Sequence, residues 1–294
     1  MKYIVGLGEA LWDLLPAGPQ IGGAPANFAY HAGQFGYPSY AVSAVGKDEL
    51  GDKLLNAFAE KKLNTLIPQI DRPTGTVEIA LDDAGVPQFT ICEEVAWDYI
   101  PASPKLDELA KQTIAVCFGS LAQRSNVSRQ TIYRFLEMMP KDEAVLKVFD
   151  MNLRQHFYTH EILQTSLSYC NVLKINEDEL PVLVRMFGIY GDTEVEQCRC
   201  ILRDFHLRLV ILTQGARGSY VFSHDEESYI ETPRVEVADT VGAGDSFTGS
   251  FVGSLLTGKS LREAHTVAVR VAAQVCTLQG AMPEISEAMR QCYK

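Results

Sequence analysis

At 294 residues the chain exceeds one average domain, yet many α/β proteins of this length fold around a single sheet, and 47% apolar against 21% charged residues supply a core and exclude a disordered chain. Thirty-seven acidic against 26 basic side chains leave a formal charge of -11, which repels phosphate backbones and anionic lipid surfaces, so neither nucleic acid nor a membrane is an expected partner. An anionic small molecule can bind only where local backbone N–H groups or a divalent metal overcome that background field.

Read in chain order, short β-branched runs alternate with longer stretches of helical period. Tyr3 to Gly8, Tyr40 to Val45, Ile114 to Phe118, Val145 to Phe149, Val172 to Ile175 and Leu209 to Thr213 predict buried strands. Ala24 to Phe35, Asp52 to Lys61, Ser128 to Met139 and Glu194 to Phe205 predict amphipathic helices between them. The alternation predicts a mostly parallel central sheet with helices on both faces, a three-layer α/β/α sandwich built by residues 1–294 as one domain. Two stretches break the rhythm, Leu11 to Ile21 and Thr74 to Tyr99. In the second, Thr76 to Leu81 and Gln88 to Ile91 flank Asp82-Asp83-Ala84-Gly85 as a hairpin. A strand cluster too small to own a core predicts a β lid from segments 10–22 and 72–99. Such lid strands can pair between subunits, which is compatible with a homodimer.

Met1 to Gly6 carries no apolar run of the signal-peptide kind and no segment reaches the length of a membrane span, giving the expectation of a cytoplasmic protein. The seven cysteines, at 92, 117, 170, 198, 200, 276 and 292, lack paired Cys-x-x-Cys spacing and read as reduced and mostly buried. Asn126-Val127-Ser128 matches a glycosylation sequon but in that compartment reads as the cap of the next helix.

The strongest local signal is Asp239-Thr240-Val241-Gly242-Ala243-Gly244-Asp245, between the extended Pro233 to Val237 and a helix-like run from Ser246. Strand, small-residue turn and helix make an anion hole: Gly242, Ala243 and Gly244 let backbone N–H groups approach a phosphate, and the new helix adds its positive end. Asp245 would repel that anion unless it serves as general base for an incoming hydroxyl. The alternative is that Asp239 and Asp245 are ordinary turn and cap residues. A second element, Ile21-Gly22-Gly23-Ala24-Pro25-Ala26-Asn27, opens a helix with proline in its first turn. Gly22 and Gly23 serve equally as a tight turn or a close ligand approach. Asn27 offers donors and acceptors suited to sugar hydroxyls, and Asp13 lies just after the first strand, where open α/β sheets bind ligands.

Together, the Gly-Gly-x-x-x-Asn and Asp-Thr-x-Gly-Ala-Gly-Asp elements resemble those of the ribokinase-type carbohydrate kinases, the PfkB family, over nearly the whole chain. The resemblance implies an ATP-dependent sugar kinase with Mg2+: Asp245 as base, Gly242, Ala243 and Gly244 as anion hole, and Asp13, Gly22, Gly23 and Asn27 on the sugar. Asp150-Met151-Asn152-Leu153-Arg154 is similar to a stretch of fructokinase-like members, which places Arg154 at the reacting phosphate and sugar. Read without the family, Arg154 could equally sit in a surface salt bridge. Asn176 and Glu179 match the family's Asn-x-x-Glu element, which implies that they organise magnesium and phosphate. Thr213, Gly215 and Gly218 fall in its nucleotide-side loop, and adenine contacts are implied within Leu261 to Gly280. The family's monovalent-cation site maps to Asp239, Val241 and Gly280, but Glu284 stands where a serine often occurs, which weighs against K+ activation.

Several motifs compete and fail on context. Gly253 to Ser260 fits the Walker A expression, yet it ends a helix rather than following a strand, with Gly258 at a C′ position and Ser260 and Glu263 as a capping box. Gly6-Leu7-Gly8-Glu9-Ala10-Leu11 begins like a dinucleotide fingerprint but has leucine at the third glycine. Trp12 and Trp97 could stack on a sugar or pack in the core. The Asp-x-Asn-x-Arg element ending at Arg154 and the neighbourhood of Trp97 most resemble fructokinases, and that resemblance implies fructose, phosphorylated to fructose 6-phosphate. Ribose and 2-keto-3-deoxygluconate remain alternatives, as do, from other classes, a P-loop nucleotidase and a non-catalytic sugar-binding protein.

Overall fold

The structure is a computed structural model that describes residues 2–15, 18–81 and 87–286. Its strands in chain order are β1 (Tyr3–Leu7), β2 (Leu11–Leu15), β3 (Gly18–Gly22), β4 (Ser39–Val42), β5 (Val45–Gly46), β6 (Asn64–Leu66), β7 (Gln69–Ile70), β8 (Gly75–Leu81), β9 (Pro87–Ile91), β10 (Thr113–Gly119), β11 (Leu146–Asp150), β12 (Val172–Asn176), β13 (Leu209–Thr213), β14 (Ser219–Phe222) and β15 (Glu227–Ile230). The helices are α1 (Ala24–Gly33), α2 (Glu49–Glu60), α3 (Pro104–Lys111), α4 (Asn126–Met138), α5 (His160–Tyr169), α6 (Glu179–Phe187), α7 (Glu194–Asp204), α8 (Ala243–Leu256) and α9 (Leu261–Cys276).

Nine strands form the central sheet in the order β15-β14-β13-β12-β11-β10-β1-β4-β6. The pairs from β13 through β6 are parallel, and β14 and β15 finish the other edge antiparallel. Alternation along each strand divides its side chains between two cores. Val5, Leu7, Val116, Phe118, Leu173 and Leu212 pack with α3 to α7, whereas Ile4, Cys117, Val172 and Ile211 pack with α1, α2, α8 and α9. The result is the expected three-layer α/β/α sandwich.

The segments that broke the rhythm meet in a second sheet, β3-β2-β8-β9, in which β2 and β8 pair in parallel and carry antiparallel neighbours. The turn Asp82 to Gly85 lies outside the described residues, as does Cys292. Bidentate pairing of Arg124 with Asp98, both nearly fully buried, fastens the chain leaving this sheet to the main body. The Walker-like Gly253 to Ser260 ends α8 as expected, Gly258 follows the C-cap Thr257, and Ser260 and Glu263 cap α9 reciprocally. No helix among the described residues is long and apolar enough to cross a membrane, and the six described cysteines are free thiols.

Three sequence expectations are corrected. Residues 233 to 237 form no strand and are all exposed, so the glycine turn leads out of irregular chain. Asn126 is the first residue of α4, behind the N-cap Ser125, and makes no cap. Trp97 is fully buried: its indole lies against Gly75, where a Cβ would fall 2.3 Å from Nε1, and under the Arg124 guanidinium, 4.0 Å from the ring centroid. It supports the small sheet from beneath and presents no face to a ligand.

Candidate active site

Parallel strands deliver their C-terminal ends to one edge of the sheet, where the loops diverge and leave a crevice. A cleft of about 1000 Å³ opens there, at the upper end of the usual small-molecule range and large enough for two ligands side by side. Residues from the loop after β1 and from β2, β12, β13, α1, α8 and α9 line it, so elements distant in sequence converge on one volume.

Two helices begin at its centre. Gly23 is the N-cap of α1 at φ 118°, and a Cβ there would lie 2.4 Å from the Glu9 carbonyl oxygen, so only glycine lets this turn close on the loop after β1. Gly242 is the N-cap of α8 at φ 75°, in the left-handed region, and a Cβ would meet Ala281 Cα at 2.7 Å. Behind it, the first-turn amides of Gly244 and Asp245 lack intrahelical acceptors, and that of Ala243 makes only a long 3.3 Å bond to the Thr240 carbonyl, which leaves this helix start suited to an anion. Asn27 joins the two helix starts: its Nδ2 donates to Asp245 Oδ2 at 2.8 Å. Burial pushes the Asp245 carboxyl above the ordinary aspartate value, opposed by the Asn27 hydrogen bond and by the positive Lys174 and Arg154. A carboxylate held in place and made more basic is suited to accepting a proton.

The other predicted residues fall around this centre. Asp13, Gly22, Gly23, Asn27 and Arg154 line one end of the cleft. Arg154 faces solvent there, donates to its own Leu153 carbonyl, and forms no ion pair among the described residues. Asn176, Thr213, Gly215 and Gly218 line the other end, with Val269 and Ala273 of α9. Glu179 does not line the cleft. It is buried behind Asn176, and its two oxygens accept from the Leu153 and Asn176 N–H groups, so it braces the loops carrying Arg154 and Asn176. Asp239, Val241 and Gly280 do come together, but the Asp239 oxygens accept from the Val241 and Gly280 amides, 3.0 Å each. The described residues hold no group of three His, Cys, Asp or Glu side chains that could bind a metal.

Three charged residues at the centre escaped the sequence reading. Lys174 lies in β12 directly opposite Asp150 of β11, and their side chains pair at 3.2 Å in nearly complete burial. A Cβ on Gly244 would sit 3.3 Å from Lys174 Nζ, so this ammonium underlies the glycine turn itself. The signal was available: a lysine inside the apolar Val172-Leu173-Lys174-Ile175 demands a partner. The third is Glu9, 3% exposed, which lines the cleft just after β1. Burial raises its carboxyl to about 7, opposed by a hydrogen bond from its own main-chain N–H and by Arg154, with Asp245 and Asp150 adding to the rise. Because this pKa is above its unfolded value, folding is penalised once pH passes 4.5, and the penalty is complete above 7. Glu9→Gln should therefore gain on the order of 3 kcal/mol of stability at pH 8 and almost none at pH 4.5. Urea unfolding at both pH values checks this; an equal gain at the two would show that the carboxyl is not held protonated.

The model of the pfkB family carbohydrate kinases matches residues 19–288. The chain belongs to the pfkB family of carbohydrate kinases. This kinase is 29% identical over 273 residues to an ATP-dependent 6-phosphofructokinase of Thermoanaerobacterium thermosaccharolyticum, covering 91% of the chain and 82% of that protein. It is 28% identical over 262 residues to a fructokinase of Klebsiella pneumoniae, covering 85% and 83%. Its fold superposes on the ATP-bound fructokinase of Xylella fastidiosa with a TM-score of 0.82 at 22% identity, over 95% and 94% of the two chains.

Proposed function

We propose that this kinase transfers the γ-phosphoryl group of ATP to a hydroxyl of an unphosphorylated sugar, with fructose the preferred acceptor and fructose 6-phosphate and ADP the products. The observation that carries this reading is the Asp245 carboxylate, held by Asn27 within one helical turn of the glycine-rich N-terminus of α8. The sugar would lie at the end lined by Asp13, Gly22, Gly23 and Asn27, under the small sheet acting as a lid. The nucleotide would lie at the end lined by Thr213, Gly215 and α9. Asp245 takes the proton of the attacking hydroxyl as its oxygen forms the new bond to phosphorus; the bond from phosphorus to the bridging oxygen breaks and ADP leaves. The first-turn amides of α8 and Arg154 neutralise charge on the transferring group. Asn176 and Glu177 line the nucleotide end, but Asn176 Oδ1 already accepts from the Asp178 and Glu179 N–H groups and Glu177 pairs with Arg217, so a magnesium ion arriving with the phosphates would be held mainly by those phosphates and by water, and would add further charge neutralisation.

The relatives phosphorylate either free or already phosphorylated fructose, going by their names. Charge favours the free sugar here. Of the cations lining the cleft, Lys174 is paired with Asp150, Arg234 lies two residues from Thr232, which bonds Gly215 of the nucleotide end, and Arg154 faces the carboxylates of Glu9, Asp13 and Asp245, which leaves a resident sugar phosphate without a basic partner of its own. An ADP-release assay with fructose, ribose, 2-keto-3-deoxygluconate and fructose 6-phosphate tests the reading. Fructose should give the highest kcat/KM. Preference for fructose 6-phosphate would reject the unphosphorylated acceptor, ADP release without sugar would indicate a nucleotidase, and sugar binding without turnover would indicate a binding protein.

A further inference from the structure

Glu9 belongs to none of the roles assigned above, and its surroundings give it one. It occupies the floor of the sugar end of the cleft, its Oε2 is buried, and no group in the described structure hydrogen-bonds that oxygen. Asn27 Oδ1 is in the same condition, because the Asn27 amide spends its nitrogen on Asp245 and leaves its oxygen unpartnered. Two buried acceptors thus stand open at one end of the cleft. Buried polar groups are almost always hydrogen-bonded, so an unpartnered pair lining a cleft calls for a ligand that supplies donors. A polyhydroxylated ligand supplies them; a phosphate or carboxylate group does not. Gly23, pressed against the Glu9 main chain, fixes where this side chain starts, so the carboxyl is positioned rather than swinging freely.

We infer that Glu9 is a sugar-binding residue that accepts a hydrogen bond from one acceptor hydroxyl and so sets which sugars are taken. The inference rests on the proposed sugar-kinase activity and adds to it a specificity determinant. A purely structural Glu9, paired only with protein groups, would show no dependence on a particular sugar hydroxyl.

The test is a cycle between enzyme and substrate. The wild type, Glu9→Ala and Glu9→Gln are assayed for kcat/KM with the preferred sugar and with each of its monodeoxy analogues, at fixed ATP. At a pH of about 8, where Glu9 is ionised, a hydrogen bond to its carboxylate is expected to make the wild type discriminate against one deoxy analogue by about 10- to 100-fold. In Glu9→Ala that one ratio should fall to near unity while ratios for the other positions stay as they were, and KM for ATP should not move. Glu9→Gln, which keeps the shape and an oxygen acceptor, should retain part of the ratio. Unchanged ratios at every hydroxyl in Glu9→Ala, or a parallel rise in sugar and ATP KM, would overturn the assignment. Calorimetric Kd values for the same sugars yield the same ratios without turnover. A wild type that binds the sugars but makes no ADP would therefore refute the kinase reading while leaving Glu9 to be judged on binding alone.

Discussion

Asp245→Asn is expected to lower kcat by about two to four orders of magnitude, the scale of a lost general base, while the protein stays folded and binds both ligands. Asparagine keeps the size of the side chain and an oxygen for the Asn27 Nδ2, whose present bond to Oδ2 is 2.8 Å. What it loses is the ability to take a proton at the moment the hydroxyl attacks. Because the lost interaction arises in the transition state, the loss should fall on kcat and leave KM for sugar and ATP nearly unchanged. Steady-state kinetics with both substrates decide this. Turnover within a fewfold of the wild type would remove Asp245 from the chemistry.

Lys174→Met should have the largest effect on stability. Lys174 is the ammonium among Asp150, Glu179 and Asp245, all of which raise its pKa against the opposing effect of burial. Removing one partner of a buried ion pair strands the other, at a cost of roughly 3–5 kcal/mol. The same change reaches the chemistry. Lys174 holds the Asp245 pKa down, so without it Asp245 keeps its proton to higher pH. A base is competent only when ionised, so the acidic limb of the kcat profile should move to higher pH in any Lys174→Met enzyme that remains folded. Denaturant unfolding and a pH profile read the two effects separately. An unshifted limb together with a stability loss below 1 kcal/mol would mean that this ammonium is neither paired nor coupled as its position indicates.

Much of the scaffold was legible because burial on both faces leaves a plain record in sequence. Leu209 to Thr213 was read to the residue, and the strands Val172 to Ile175 and Ile114 to Phe118 to within one, since each is a continuous apolar run. The centre of the site was legible at Gly22, Gly23, Gly242 and Asp245, where backbone conformation and chemistry demand particular residue types. What escaped depends on register. The pairing of Asp150 with Lys174 arises because β11 and β12 align them as neighbours, a relation between residues 24 apart that neither segment records alone. Glu9 was hidden inside a failed dinucleotide motif, and its meaning comes from what β1, α1 and α8 place above it. Trp97 was misread because a tryptophan announces its area and not its direction; the notch at Gly75 and the lid of Arg124 decide that it points inward. Pro233 to Val237 carries the alternation of a strand, but among the described residues no strand pairs with it, and propensity without a partner makes no sheet.

The central claim is that anion cradle and base share one cleft with the sugar. A crystal structure of Asp245→Asn with a non-hydrolysable ATP analogue and fructose tests it most directly. The account predicts the terminal phosphate against the amides of residues 242 to 244, and a fructose hydroxyl oxygen within hydrogen-bond distance of residue 245, with the sugar held by Asp13 and Asn27. A nucleotide bound away from the start of α8, or a sugar out of reach of residue 245, would contradict it.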